Sequence, residues 1–399
     1  MKLPAGHLTY CTNIHPGESW ADHFGALKQN FPQIKQALSP GAPMGIGLRL
    51  SNQASLEILH GDNLQQFREW LTETGAYVFT MNGFPYGGFH HVRVKDQVHA
   101  PDWTTSHRLE YTLRIFRILS ALLPAGTDGG ISTSPLSYKP WFETADDLQQ
   151  AKEAATRNIL QVAEELHVLK QQTGLNMHLD VEPEPDGILE SGREFIDWYR
   201  DVLIPLGIKH FAQKFGFTPA DAERIIKQHI TLCYDVCHFA IGYEPHQQII
   251  DELAEKGILT GKIQISAALK AQFTPENTSG IREAFAGFDE PTYLHQVIAR
   301  RADGELLRYP DLDKALASKD EAEEWRAHFH VPVFVADFGL LQSTRADIET
   351  VLDIQQAQSF TDHLEVETYT WTVLPDGLKA PIDRSIIREM EWVKNRLTN

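Results

Sequence analysis

The chain has 399 residues, a length that α/β barrels with insertions commonly use as one unit. Its 42% hydrophobic and 23% charged residues are ordinary for a folded globular protein and exclude global disorder. With 36 Lys and Arg residues against 54 Asp and Glu residues the net charge is -18, which argues against nucleic acid as a partner because such a field repels phosphate polyanions.

Short apolar or β-branched runs alternate along the chain with longer segments of helical period, which is typical of parallel βα units. Nine of these runs qualify as strands. They lie near residues 8–14, 44–51, 76–83, 129–135, 176–182, 230–236, 261–267, 331–336 and 364–371.

The first intervening segments carry apolar residues at helical spacing. Asp62 with Gln65 predicts a capping box at the start of the second helix, and Gly75 predicts its end. The buried face of the first helix is predicted to comprise Trp20, Phe24, Leu27, Phe31, Ile34 and Leu38.

A closed barrel needs eight strands, so one of the nine runs must be left out. We omit 331–336 because Pro332 removes a hydrogen-bond donor near its start. If this run were instead the eighth strand, the last carboxylate ligand of the site described below would be Asp337 rather than Glu367. No Gly/Ser-rich or Pro-rich linker divides the chain. The sequence therefore predicts a single (β/α)8 TIM barrel with extended βα loops, one domain spanning residues 1–399.

Strand alternation predicts which side chains face the barrel axis, because the outward face must be apolar where it meets the helices. Polar side chains alternate with apolar ones in the strands near 176, 230, 261 and 364. Barrel active sites form at the carboxyl ends of the strands. The residues expected to meet there are Glu182, Asp235, Gln264 and Glu367.

Carboxylates gathered at one rim repel each other unless a cation neutralises them. Three carboxylates and an amide oxygen suit Mg2+ or Mn2+, and nearby imidazoles would shift the preference towards Zn2+. The histidines placed to join are His238 and His330. We therefore expect a divalent metal, one of Mn, Mg, Co or Zn, held by the four residues named above.

Three segments resemble metal-binding strands of the xylose-isomerase-like TIM barrels, which include sugar phosphate isomerases and epimerases and the endonuclease IV family. The run 232–239 followed by 242–243 resembles the strand-six motif, 182–185 the strand-five glutamate, and 367–368 the strand-eight glutamate. Gln264 stands where much of the group has a histidine. His328 and His330 fall loosely where the endonuclease branch has further ligands.

A second resemblance covers most of the chain. The stretches 8–18, 45–50, 82–87 and 367–371 are similar to the EboE-type metabolite traffic proteins, barrel proteins linked to moving a precursor metabolite out of the cytoplasm. This resemblance implies a role in a pathway for metabolite production or export rather than a particular reaction. Barrels of this group often form dimers or tetramers, so a homo-oligomer is compatible with it.

The function expected from these features is metal-dependent isomerisation, epimerisation or lyase chemistry on a small polyhydroxylated metabolite. The resemblance implies that Glu182 and Glu367 exchange protons with a substrate carbon and that His238 binds a substrate hydroxyl. Substrate contacts are expected from Arg49, Asn82, Tyr86, His90 and His330. Arg49 would bind a phosphate or carboxylate, or else form an ion pair with Asp180 or another acid.

Two alternatives stay open at this point. One is a non-catalytic protein that binds a metabolite or hands it over in the same pocket. The other is an endonuclease IV-like phosphodiesterase, which the acidic charge disfavours.

Three further features bear on the compartment. The cysteines, Cys11, Cys233 and Cys237, are too few for a disulfide framework. The amino terminus lacks the apolar stretch of a signal peptide, and no window approaches eighteen uninterrupted apolar residues. A cytoplasmic protein without membrane insertion is expected.

Overall fold

Eight parallel strands form the centre of the computed structural model, which describes residues 1–88, 93–369 and 381–398. We label these strands β1 to β8 in chain order. Their bounds are β1 Gly6–Tyr10, β2 Met44–Arg49, β3 Ala76–Asn82, β4 Gly129–Thr133, β5 Met177–Val181, β6 Ile230–Asp235, β7 Thr260–Ile265 and β8 His363–Val366.

The strands pair in sequence order from β2 to β8, and β8 pairs with β1. The circle closes between β1 and β2, where Cys11 forms a parallel bridge with Gly47 and the Thr9 hydroxyl donates to the Gly45 carbonyl. A short antiparallel strand, Lys2–Leu3, precedes β1. The molecule is therefore a (β/α)8 barrel, and the predicted fold class is confirmed.

All eight strands chosen from the sequence are barrel strands in the structure. The omitted run is not one of them, since Val331 ends a strand of a different sheet and Asp337 lies in a short hairpin. Glu367 directly follows β8, so it is the acid at the end of the last barrel strand.

Helices cover the outside of the barrel. The first, Trp20–Leu38, begins with a capping box between Ser19 and Asp22, and it buries five of its six predicted face residues while Phe24 is only partly buried. The capping box predicted at Asp62 is wrong, because that side chain makes no cap hydrogen bond, whereas the predicted end at Gly75 is confirmed by its left-handed φ of 65°. The other α-helices in the described part of the chain are Asn52–Glu57, Asn63–Thr74, Ser106–Leu122, Ala145–Thr173, Gly192–Trp198, Ile204–Phe215, Pro219–His229, Val236–Ile241, His246–Glu255, Thr278–Ala286, Leu312–Ala317, Arg345–Gln358 and Ile382–Thr398.

A second, antiparallel sheet is inserted between β7 and β8, and the sequence interpretation did not foresee it. It occupies residues 267–343, which we call the insert, and its first strand starts two residues after β7. The extended loop at this strand end therefore folds over the carboxyl end of the barrel. In spatial order its strands are Leu306–Tyr309, Val297–Arg300, Glu324–Val331, Ala267–Gln272, Leu341–Ser343 and Asp337–Phe338.

Charged groups fill the barrel interior below the rim. Lys262 on β7 donates to Glu365 on β8 at 2.6 Å, and it also donates to the Met81 carbonyl and the Ser132 hydroxyl. Both members of this ion pair are fully buried. Gly47 faces them, and a Cβ atom there would lie 1.9 Å from a Glu365 oxygen, so only glycine leaves room for that carboxylate.

No described helix combines the length and the apolar character needed to cross a membrane.

We expect Lys262→Met to destabilise the fold by about 3–5 kcal/mol, because it leaves the Glu365 carboxylate buried without its counter-ion. Chemical denaturation followed by circular dichroism measures the change. The double variant Lys262→Met/Glu365→Gln removes both charges and should recover most of the loss. If the double variant is no more stable than the single one, the pair is not the source of the effect.

Candidate metal centre

Three buried carboxylates converge at the carboxyl end of the barrel. Glu182 follows β5, Asp235 ends β6 and Glu367 follows β8, and one oxygen from each lies within 4.8 Å of the other two. Their exposed fractions are 3%, 0% and 4%. We call these residues the acid cluster. Their convergence is the arrangement expected when strand ends meet at one rim.

Part of the acid cluster has no protein hydrogen-bond donor. Oδ1 of Asp235 accepts from the Ser266 hydroxyl at 2.6 Å and from the His238 backbone N–H at 3.3 Å. Oδ2 of Asp235 and Oε2 of Glu182 are buried and accept no hydrogen bond from any residue the structure describes. Buried carboxylate oxygens normally have a partner. A divalent cation fits this set of hard oxygen ligands and would supply the missing one.

Glu367 is the best anchored member of the acid cluster. Its Oε1 accepts from the side-chain amides of Asn13 at 2.7 Å and Asn82 at 2.8 Å, and its Oε2 accepts from Gln264. Gln264 uses its own oxygen to accept from the Cys233 thiol. The amide expected to be a metal ligand thus directs its N–H groups at Glu367, which fits a role in positioning that carboxylate.

Three histidines lie beside the acid cluster. His238 donates from Nδ1 to the Pro183 carbonyl at 2.9 Å, and His330 from Nδ1 to the Glu367 backbone carbonyl at 3.2 Å. His328 has its Nδ1 at 2.9 Å from Oε1 of Gln296. The Gln296 amide donates its N–H to the Pro185 carbonyl, so its oxygen accepts from His328.

These bonds determine which ring nitrogen carries the proton, because a carbonyl oxygen of the backbone or of a side-chain amide can only accept a hydrogen bond. In its neutral form each of the three histidines therefore carries its lone pair on Nε2. The Nε2 atoms of His238 and His328 are only 3.1 Å apart. Two lone pairs at that distance repel, and a proton or a metal ion between them removes the repulsion. Ligating histidines commonly hold their other nitrogen in this way.

Burial shifts the pKa values of the centre. It raises the pKa of Glu182 well above the ordinary value, and the charges of Asp235 and Glu367 add to this. The pKa of Glu367 is also raised, by burial and then by Asp235. Burial lowers the pKa of His330 to about 4 and that of His328 well below its ordinary range. Both imidazoles are thus neutral at pH 7.

The centre opens into a cavity of about 570 Å3, counting its mouth. The barrel contributes the acids and amides at the inner end. The loop after β3 and the insert supply most of the remaining wall. The lining residues are Asn13, Asn82, Phe84, Pro85, Val94, Lys95, Val98, Glu182, Glu184, His238, Tyr293, Leu294, Gln296, His328, His330, Glu367 and Tyr369.

The residues predicted to contact the substrate lie in different parts of the structure. Asn82 and His330 line the cavity. Arg49 forms an ion pair with Glu18 at 3.1 Å, the alternative role expected for it, although with another acid than Asp180. Tyr86 packs against Tyr111, away from the described cavity wall. His90 lies outside the described residues.

Sequence reasoning gave no role to several residues that the structure brings to the centre. Asn13 follows β1 in a 3-10 turn and could have been found by extending the inward alternation of that strand. Gln296 and Tyr293 come from the insert, which has no βα signal. Glu184 lies 3.3 Å from His99 across a loop, a contact that no local pattern reveals.

No protein-family model matches the chain, and no curated protein matches its sequence. Several solved structures are similar in fold, among them the IolI protein with a bound zinc atom, which is 11% identical with a TM-score of 0.48 over 98% of both chains. The 3-keto-D-glucoside 4-epimerase YcjR from E. coli is 11% identical with a TM-score of 0.46, covering 98% of this chain and 99% of that one. A xylose isomerase-like TIM barrel protein from Mycobacterium smegmatis in complex with magnesium is 10% identical with a TM-score of 0.48, at the same coverage.

Identities and TM-scores at this level carry no argument about activity, so the barrel assignment depends on the strand pairing described above. The resemblance to the EboE-type proteins stays a prediction.

The raised pKa of Glu182 gives a stability prediction. A carboxyl group whose pKa is higher in the folded state destabilises the fold as pH rises above its ordinary value of 4.5. Metal-free Glu182→Gln should therefore melt at a higher temperature than the metal-free wild type at pH 8, with a smaller difference at pH 5. Thermal unfolding of both proteins at the two pH values measures this.

Wild type and variant must be compared because the pKa values of His328 and His330 are lowered, that of His330 to about 4. A histidine whose pKa is lowered in the folded state makes the fold more stable as pH rises towards its ordinary value of 6.5, which is the opposite of the effect of Glu182. A Glu182→Gln variant that is less stable than wild type at pH 8 would show that Glu182 is not an uncompensated charge.

Proposed function

We propose that this protein is a divalent-metal-dependent isomerase or epimerase acting on a small oxygen-rich metabolite. The observation that carries this proposal is the acid cluster: three buried carboxylates from three strand ends, with two oxygens lacking any donor in the described chain. Perturbed carboxylates in a cleft are typical of catalytic sites.

The acid cluster would hold the metal through Glu182, Asp235 and Glu367, with the Nε2 atom of His330 within reach. Oδ2 of Asp235, which has no described donor, lies 3.9 Å from this nitrogen. When bound, such a metal polarises a substrate carbonyl as a Lewis acid. The mixed oxygen and nitrogen ligand set favours Mn, Co or Zn over Mg.

Glu182 is the residue best suited to move a proton. Its Oε2 accepts no hydrogen bond from the described residues, while its other oxygen lies 3.6 Å from His238. We expect the Glu182 oxygen that does not bind the cation to accept a proton from the carbon beside the carbonyl as the C–H bond breaks and its electron pair moves towards that carbonyl. Return of the proton to the former carbonyl carbon, with transfer of the hydroxyl proton of the first carbon to the former carbonyl oxygen, completes isomerisation. Protonation of the first carbon by a donor on its other face completes epimerisation.

Glu367 is better suited to hold the cation than to move a proton. Its three amide donors stabilise the ionised form, and so oppose the rise in its pKa that burial and Asp235 cause. The resemblance implies that both glutamates exchange protons with the substrate, whereas in this proposal Glu182 moves the proton and Glu367 holds the cation. His238, whose ring position is set by the Pro183 carbonyl, would orient a substrate hydroxyl.

The insert and the barrel act on one site in this proposal, because His328, His330 and Gln296 come from the insert and the acids come from the barrel. This supports a single functional unit, as predicted. A role in metabolite production or export, implied by the EboE-type resemblance, fits an enzyme of this kind and is part of the proposal.

We expect the purified protein to bind at least one equivalent of Mn, Co or Zn, and Asp235→Asn and Glu367→Gln each to lose most of it, because each removes a charged ligand. Elemental analysis after dialysis measures the metal, and circular dichroism checks the fold. Glu184→Gln is the matched control: it removes a carboxylate that lines the same cavity but stands outside the acid cluster. A wild type that stays metal-free after reconstitution would contradict the proposal.

Proton transfer can be detected without knowing the product. In D2O, the metal-loaded protein should exchange a carbon-bound hydrogen of a keto-sugar or keto-cyclitol, observed by NMR, and Glu182→Gln should slow this about 10²–10⁴-fold. Asn82→Ala, which loosens Glu367, should have a smaller effect. Tight binding of a metabolite without exchange by the wild type would instead favour the non-catalytic binding protein.

A further inference from the structure

We propose that the substrate is an uncharged molecule with two adjacent oxygens at one end and an apolar ring or chain at the other, and that it carries no phosphate. This inference rests on the proposed metal function and adds the substrate class. It follows from the contrast between the inner end of the cavity and its outer wall.

The outer wall is apolar. Val94 and Tyr293 form a small hydrophobic cluster, with Val98 and Tyr369 packed against it, and this cluster is separate from the main core of the protein. All four residues line the cavity. Phe84, Pro85 and Leu294 extend the same surface. Such a wall stabilises an apolar ligand group by about 25 cal/mol per Å2 of buried surface, and a fully hydroxylated sugar would gain little from it.

Backbone hydrogen bonds hold the segments of the apolar wall together. Val94 and Lys95 donate their backbone N–H groups to the Thr292 carbonyl at 2.8 and 2.9 Å. These bonds join the segment after β3 to the insert at the wall of the cavity. The apolar surface is therefore held in place beside the acid cluster.

The described wall of the cavity offers no free cation to a phosphate. Lys95 is the one lysine or arginine among the described residues of its wall, and its ammonium group is 2.5 Å from the Asp311 carboxylate. Arg49 is committed to Glu18. The remaining charges of the wall are the carboxylates of Glu182, Glu184 and Glu367, which repel an anion.

Hydroxamates test this class, because they chelate a divalent metal through two adjacent oxygens as the substrate would. Isothermal titration of the metal-loaded protein with acetohydroxamate, benzohydroxamate and phosphoglycolohydroxamate compares a small, an apolar and an anionic tail. We expect benzohydroxamate to bind at least about tenfold more tightly than acetohydroxamate, since one factor of ten needs only about 1.4 kcal/mol. Phosphoglycolohydroxamate should bind no more tightly than acetohydroxamate.

A matched pair of variants locates the effect. Leu294→Ser should weaken benzohydroxamate several-fold and leave acetohydroxamate unchanged. Leu340→Ser, the same change at a residue that is 54% exposed and outside the described cavity wall, should alter neither.

The outcomes separate the two proposals. Equal affinities for the three hydroxamates, or the tightest binding by the phosphorylated one, would overturn the substrate class and leave the metal centre standing. Absence of binding by all three to metal-loaded protein, at concentrations where they chelate the free metal, would overturn the metal function and this inference with it.

Discussion

The structure depends on how a barrel accommodates negative charge that it has buried. One layer below the rim the problem is solved within the chain, where Lys262 neutralises Glu365. At the rim three more carboxylates meet, and Lys262 is already engaged with a neighbour below them. Burying three like charges within 4.8 Å is strongly unfavourable unless they bind protons or a cation. The pKa values of Glu182 and Glu367 are raised because both carboxyl groups are buried next to other carboxylates.

The insert increases the effect of this buried negative charge. By covering the carboxyl end of the barrel it excludes water from the acid cluster, which strengthens the electrostatic cost and also the affinity for a cation. It also brings His328 and His330 next to the acids, as neutral imidazoles whose Nδ1 atoms are already bound to carbonyl oxygens. The insert thus supplies the cover, two histidines beside the acids and, with Tyr293 and Leu294, part of the apolar wall.

The sequence was sufficient to predict the barrel and its acids because both depend on a local rule. Alternation places every second side chain of a strand inward, and this holds for Glu182, Asp235, Gln264 and Glu367 wherever the strands lie in space. The roles that were not predicted depend on contacts between distant segments. The partner of Arg49 is Glu18, the Gln264 amide points at Glu367, and Gln296 reaches His328 from a neighbouring strand of the insert. The antiparallel strands of the insert lack the regular βα alternation, so the same rule could not detect them.

The anchoring of Glu367 would preserve the geometry of the proposed metal centre in the absence of a metal. Its amide donors come from three places around the barrel: Asn13 after β1, Asn82 at the end of β3 and Gln264 on β7. Side-chain amides do not titrate in the working range of a protein, so the three donors themselves do not change with pH. Glu182 and Asp235 each keep an oxygen without a described donor, and they can therefore respond to what binds. One fixed carboxylate and two responsive ones make a site that is preorganised at one ligand and adaptable at the others, which is what a centre needs if it must bind a cation and also let a neighbouring carboxylate take up a proton.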